Sequence, residues 1–137
     1  MDEREQRRAD ALRRLDLAEQ AADREAALAQ RLIDQFVADA VAAGLEPVPL
    51  RATTLDGHMV RTDRRGWYLR QNHSIAIDTD GGYHVLTVPG GLKARLRGVR
   101  LEPTRPSLQV GRGGRDGETG DLSEFLAWVL AGKVPQH

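Results

Sequence analysis

The chain has 137 residues, a size that suits one domain, and its twenty basic and twenty acidic residues give a formal net charge of zero. It contains no cysteine, which excludes disulfides, thiolate zinc sites and cysteine nucleophiles. No apolar run approaches the roughly 18 residues of a membrane span, and charged side chains at positions 2–5 stand where a secretory signal would be apolar. We therefore expect a cytoplasmic protein without a membrane partner.

The first predicted element is a long helix over residues 3–43. No glycine or proline occurs before Gly44, and Ala, Arg, Leu, Glu and Gln, which lose little rotamer freedom in a helix, dominate the segment. Gly44 then supplies a C-terminal stop. Apolar residues at three- and four-residue spacing predict that the second half packs on a sheet; they are Leu28, Leu32, Ile33, Phe36, Val37, Ala40 and Val41.

The first half of this helix has fewer large aliphatic residues, so we divide the chain into a charged helical arm, residues 1–27, and a single α+β domain, residues 28–137. Forty helical residues extend about 60 Å, which is longer than the rest of the domain is expected to be wide. The arm could pair with another copy or with a partner helix, or it could be a solvated extension. The residues predicted for oligomerisation are Leu12, Leu15, Ala18 and Ala22.

Three Asp-Gly dipeptides, at 56–57, 80–81 and 116–117, punctuate the remainder and predict tight hairpins. We predict strands at 48–54, 58–62, 66–70, 74–78, 83–88, 92–101 with a kink at Gly98, and 107–110. A two-residue Asp80-Gly81 loop would place Ile77 opposite His84. Both faces of that hairpin carry apolar residues, so we expect it to be covered on both sides.

The last predicted element is a short amphipathic helix that ends near residue 131. Asp121 and Glu124 have the spacing of a capping box at its start. The predicted class is therefore α+β: a long N-terminal helix, an antiparallel β-meander that forms a strongly bent sheet or partial barrel, and a short C-terminal amphipathic helix.

Basic residues concentrate between positions 61 and 115. This segment contains eleven basic and four acidic residues, which gives it a local net charge of +7. Such a segment attracts anionic partners. Arginines also flank the adjacent aromatics Trp67 and Tyr68, an arrangement typical of surfaces that stack nucleic-acid bases. The residues predicted to bind nucleic acid or another anion are Arg64, Arg65, Trp67, Arg70, Lys93, Arg95, Arg97, Arg112 and Arg115.

Other local sequence patterns are explained better by a structural role than by ligand binding or catalysis. The run 111–117 is rich in glycine and arginine and could hold a phosphate, but it lacks the Lys-Ser/Thr ending of a P-loop, so a structural loop is the alternative. Asp78-Thr79-Asp80-Gly81 lacks the later ligands of a calcium loop. His58, His73 and His84 have no carboxylate spaced to complete a metal site, and no Gly-x-Ser-x-Gly motif occurs. We expect no metal, no cofactor and no catalytic residues.

Together these patterns favour a small non-enzymatic interaction or adaptor module that self-associates or docks a partner through its N-terminal helix. A nucleic-acid or phosphate-binding protein that uses a basic sheet surface is the first alternative, because of the charge in residues 61–115. A small enzyme of unrecognised type is the second. Arginine makes up eighteen of the twenty basic residues, a bias typical of GC-rich bacterial genes.

Overall fold

The computed structural model describes residues 2–111 and 120–137 and shows an α+β fold. Its helices are α1 (Glu3–Ala42), α2 (Leu92–Arg97) and α3 (Leu122–Leu130). Its strands are β1 (Val48–Thr54), β2 (Met59–Tyr68), β3 (Ile75–Asp78), β4 (Tyr83–Val85), β5 (Thr87–Val88), β6 (Gln109–Val110) and β7 (Gly120–Asp121). The predicted long helix, mostly antiparallel sheet and short C-terminal helix are confirmed.

Helix α1 runs unbroken for 40 residues, close to the predicted bounds. The Asp2 side chain caps its first turn by accepting from the backbone N–H of Glu5 at 2.7 Å. At the other end Gly44 has a φ of 73°, and the backbone N–H of Leu45 turns back to the carbonyl of Ala40 at 2.9 Å. Glycine is suited to this left-handed position because it has no Cβ.

The main sheet has five strands in the order β4-β3-β2-β1-β5, with β5 parallel to β1 and the other pairs antiparallel. It is open and does not close into a barrel. Strand β2 joins two predicted strands into one of ten residues. It passes very close to β3, since a Cβ on Gly66 would lie 1.9 Å from the Ile77 carbonyl oxygen. Strands β6 and β7 form a separate two-stranded sheet.

Two apolar clusters lie on opposite faces of the main sheet. On one face the second half of α1 and helix α3 pack on Trp67 and Ile77. On the other face Leu50 and Tyr68 lie beneath residues 94–101. Trp67 and Tyr68 therefore point in opposite directions, as expected for neighbours on a strand.

The contact face of α1 differs in detail from the predicted stripe. Its buried residues are Ala29, Ile33, Phe36 and Ala40. The predicted core residues Leu28, Leu32 and Val41 are exposed instead. They lie on the flanks of a narrower buried strip.

The predicted register of the central hairpin is wrong by one residue. Ile77 pairs with Tyr83, and His84 pairs with Ala76. The loop has three residues instead of two: the Gly81 N–H binds the Asp78 carbonyl at 3.0 Å, and Gly81 has a φ of 88°. A three-residue loop that ends in a left-handed glycine is the next most common hairpin solution after the two-residue turn.

Two other local predictions are wrong. Residues 92–97 form helix α2 instead of a strand, since Leu, Lys, Ala and Arg are strong helix formers and Gly91 and Gly98 isolate them. At α3 the Asp121 side chain makes no capping hydrogen bond and instead accepts one from the Gln109 side chain. The helix nevertheless starts at the predicted place.

Candidate functional site

The first half of α1 extends beyond the sheet. Burial along α1 begins only at Ala29, and the residues before it are exposed or half-exposed. Toward the N-terminus from Glu19, the hydrogen bonds of α1 that involve described residues stay within the helix and its cap. The name arm is used from here on for residues 3–18, a shorter segment than the residues 1–27 of the prediction, and this segment extends about 24 Å at 1.5 Å per residue.

The arm continues the buried strip of α1 without a break. Counting back from Ala29 in steps of three and four residues leads to the small or apolar residues Ala22, Ala18, Leu15 and Ala11. Leu15 is 67% exposed, and the neighbouring Leu12 is 61% exposed. Three of the four residues predicted for oligomerisation thus lie on one line, with Leu12 on its flank.

Just after the arm, charged side chains of α1 bind residues 105–108. Arg105 binds Glu19 at 2.7 Å and Asp23 at 3.4 Å. Further along, the Glu25 carboxylate accepts from the Leu108 N–H at 3.2 Å. These contacts stabilise the direction in which α1 leaves the domain, although each exposed pair contributes little on its own.

Two residues predicted to bind anions lie inside the protein. Trp67 is 1% exposed, donates from Nε1 to the Leu45 carbonyl at 3.0 Å and meets Phe36 edge to face at 5.5 Å between ring centroids. Arg70 is 5% exposed. The burial of both side chains does not fit the predicted roles, which were base stacking by Trp67 and contact with an anion at the surface by Arg70.

Arg64 belongs to a buried polar cluster, defined here as Arg64, Asp78 and His84. The Asp78 carboxylate accepts from Nε2 of His84 at 2.6 Å, from Nη1 of Arg64 at 3.3 Å, and from the backbone N–H groups of Asp80 and Gly82. Burial raises the pKa of Asp78, but hydrogen bonds from His84 and from the two backbone N–H groups outweigh it and hold the pKa below 3.8.

The buried polar cluster stabilises the β3–β4 hairpin, and two of its members, Arg64 and Asp78, also line an open cleft of about 340 Å³. His84 is 1% exposed, so its ring cannot meet a substrate. The Asp78-Thr79-Asp80-Gly81 segment is a hairpin turn in which the Asp78 carboxylate binds backbone N–H groups. Across residues 2–111 and 120–137, no set of three His, Cys, Asp or Glu side chains could hold a metal ion.

The remaining predicted anion-binding residues fall into two groups. Arg65 is exposed and donates to the Pro47 carbonyl at 2.9 Å, and Lys93, Arg95 and Arg97 are exposed on α2. Arg112 and Arg115, with most of the glycine-rich run, lie outside the described residues.

Beside an uncovered part of the sheet, Arg97, which was predicted to bind an anion, comes together with three arginines that were not: Arg51, Arg61 and Arg100. Arg51 of β1 and Arg61 of β2 are direct cross-strand partners, and both are exposed. Arg97 and Arg100 line an open cleft of about 570 Å³ together with Arg61. Strict alternation along β1 and β2 is the signal that could have grouped Arg51 with Arg61.

Comparisons with protein-family profiles, with curated proteins and with solved structures found no match. Within the described ranges, no helix combines the length and apolar character needed to cross a bilayer.

Proposed function

We propose that this protein is a non-enzymatic interaction module that self-associates through its helical arm. One observation carries the proposal: the face that α1 buries in the core continues through the half-buried Ala22 and then, exposed, along the arm through Ala18, Leu15 and Ala11. An apolar strip at alternating three- and four-residue spacing is the pattern by which helices pair. The burial of His84 supports the non-enzymatic reading.

A second copy of the chain suits this strip. Residues 3–18 carry five arginines and four acidic residues, a net charge of +1, so repulsion between two arms is small and is screened by salt. Alanine at three of the four strip positions allows close approach of two helix backbones. An identical arm supplies the same small and apolar residues to the seam, as a symmetric interface requires.

The energy available predicts a weak, concentration-dependent oligomer. Full burial of an exposed leucine stabilises by about 1.5–3 kcal/mol, so Leu12 and Leu15 from two copies supply about 6–12 kcal/mol at most. Association costs about 4–15 kcal/mol in lost freedom of motion. The two ranges overlap, and we therefore expect a dissociation constant in the micromolar to millimolar range.

The test is sedimentation equilibrium on the full chain from micromolar to millimolar concentration, with Leu15→Gln as the perturbation and Leu17→Gln as the matched control. Both leucines are exposed, at 67% and 56%, but Leu17 lies about 200° further round the helix and off the strip. Glutamine is uncharged like leucine, so the net charge of the chain is unchanged, and it has a high helix propensity. We expect the wild type and Leu17→Gln to associate and Leu15→Gln to remain monomeric.

Self-association also requires that the wild-type protein forms an oligomer within this concentration range. A wild type that stays monomeric across the whole range would contradict self-association and leave a foreign partner helix as the occupant of the strip. Equal association by Leu15→Gln would contradict the assignment of the strip.

A further inference from the structure

We propose that the uncovered sheet surface formed by Arg51, Arg61, Arg97 and Arg100, called the arginine face, binds a ligand that carries several phosphate groups. This site lies apart from the arm and uses residues of β1, β2, the end of α2 and the segment that follows α2. Two of its four arginines face each other across a strand pair, and the other two flank Arg61 around one cleft.

Backbone geometry at Gly98 builds the cleft. Gly98 has a φ of 77°, and a Cβ there would lie 2.8 Å from the Arg61 carbonyl oxygen. This close approach lets the Val99 N–H donate to the same carbonyl at 2.8 Å, so the chain after α2 lies along the open edge of β2. Arg97 and Arg100 are thereby held on either side of the contact, next to Arg61.

The arginine face carries positive charge that the described residues do not balance. Arg51 lies directly opposite Arg61, and like charges in that position destabilise a sheet. Among the described residues that line the cleft, Asp63 is the one carboxylate. Its Oδ1 already accepts from the Leu101 N–H at 2.8 Å, and its Oδ2 lies 3.9 Å from Nε of Arg100. An anionic ligand would relieve this repulsion.

The side chains of the arginine face are suited to binding phosphate groups. A guanidinium group matches two oxygens of a phosphate with two parallel N–H donors, which a lysine cannot do. Arg61 uses one nitrogen, Nη2, on the Leu96 carbonyl at 3.1 Å and keeps other donors for a ligand. Three arginines around one cleft, with Arg51 on the strand beside Arg61, exceed what a single phosphate needs, so the ligand is expected to carry more than one.

The burial of Trp67 limits how a nucleic acid could bind. Trp67 is buried and cannot stack on a base, so contacts with a nucleic acid would run to its phosphates. Inorganic polyphosphate offers the same chemistry without bases. The shared requirement is a chain of phosphates, and the two sources are separated by experiment.

The experiment measures anisotropy of a fluorescently labelled single-stranded oligothymidylate, with unlabelled tripolyphosphate as competitor, over a series of salt concentrations. Arg97→Gln/Arg100→Gln removes two arginines of the cleft. Arg24→Gln/Arg31→Gln is the control, because it removes the same charge from the exposed side of α1. Arg61→Gln is a second site variant, and circular dichroism verifies that each variant is folded.

We expect the cleft variant to weaken oligonucleotide binding roughly tenfold at low salt, while the control binds like the wild type. The slope of log affinity against log salt is expected to fall by about 0.7 for each lost contact, or about 1.4 for the double variant. Competition by tripolyphosphate would assign the site to any phosphate chain, and resistance to it would assign the site to a nucleic-acid backbone. Absence of oligonucleotide binding at low salt, or equal loss in the control, would overturn the proposal.

Discussion

Replacement of Asp78 by asparagine tests whether the buried polar cluster stabilises the fold. Asparagine keeps the shape of the side chain, and its oxygen can still accept from the backbone N–H groups of Asp80 and Gly82. The other oxygen becomes an NH₂ donor that faces two donors, Nε2 of His84 at 2.6 Å and Nη1 of Arg64 at 3.3 Å. The substitution therefore removes both hydrogen bonds to the buried charge.

The expected loss of unfolding free energy is about 2–3 kcal/mol. A hydrogen bond to a charged group contributes about 1.5–3 kcal/mol, and the bond to His84 is fully buried. The Arg64 side chain is 26% exposed, so water screens its contribution and little is added for it. Urea unfolding at neutral pH measures the difference, and Asp80→Asn is the matched control because Asp80 is exposed in the same turn.

The effect of Asp78→Asn is also expected to depend on pH. The folded-state pKa of Asp78 is lowered from its ordinary value of 3.8, so the stabilisation by its carboxylate is complete above that value and is lost as pH falls through the lower folded value. The gap between wild type and variant should therefore narrow below about pH 4. A loss no larger than that of Asp80→Asn, or a gap that is unchanged in acid, would refute this account of the cluster.

Two further stability predictions concern the sheet. Gly66→Ala is expected to destabilise by about 3 kcal/mol in urea unfolding, because its Cβ would lie 1.9 Å from the Ile77 carbonyl oxygen; a loss below about 1 kcal/mol would show that the strands can move apart. Arg51→Gln is expected to stabilise by about 0.2–1 kcal/mol at low salt, because it removes repulsion from Arg61, and the gain should shrink as salt screens the charges. A destabilised Arg51→Gln protein would show that the two arginines do not repel each other.

Local patterns were reliable where a structure depends on neighbouring residues. The bounds of α1, its end at Gly44 and the whole of β1 were predicted, since helix propensity, a left-handed glycine and strand alternation act over a few residues. The Asp-Gly dipeptides at 56–57 and 80–81 did mark hairpin turns. The three-residue loop length was missed because the same dipeptide suits two loop types.

The exposure of the candidate anion-binding residues did not follow from the sequence, because charge density along the chain does not show which side chains reach the surface. Trp67 and Arg70 lie in a basic stretch but are buried, and Arg64 is held by Asp78. Arg51 lies outside the basic stretch, yet pairing of β1 with β2 places it beside Arg61.

Composition and spacing thus determined that the chain is α+β, with a long charged helix that ends at a glycine and with hairpins at Asp-Gly turns. Only tertiary packing decided that the buried strip begins at Ala29 and that Gly98 brings Arg97 to the edge of β2. The physical reason is the distance along the chain over which each effect acts. Dihedral preferences are set within a few residues, whereas burial and charge clustering depend on contacts between residues far apart in the chain.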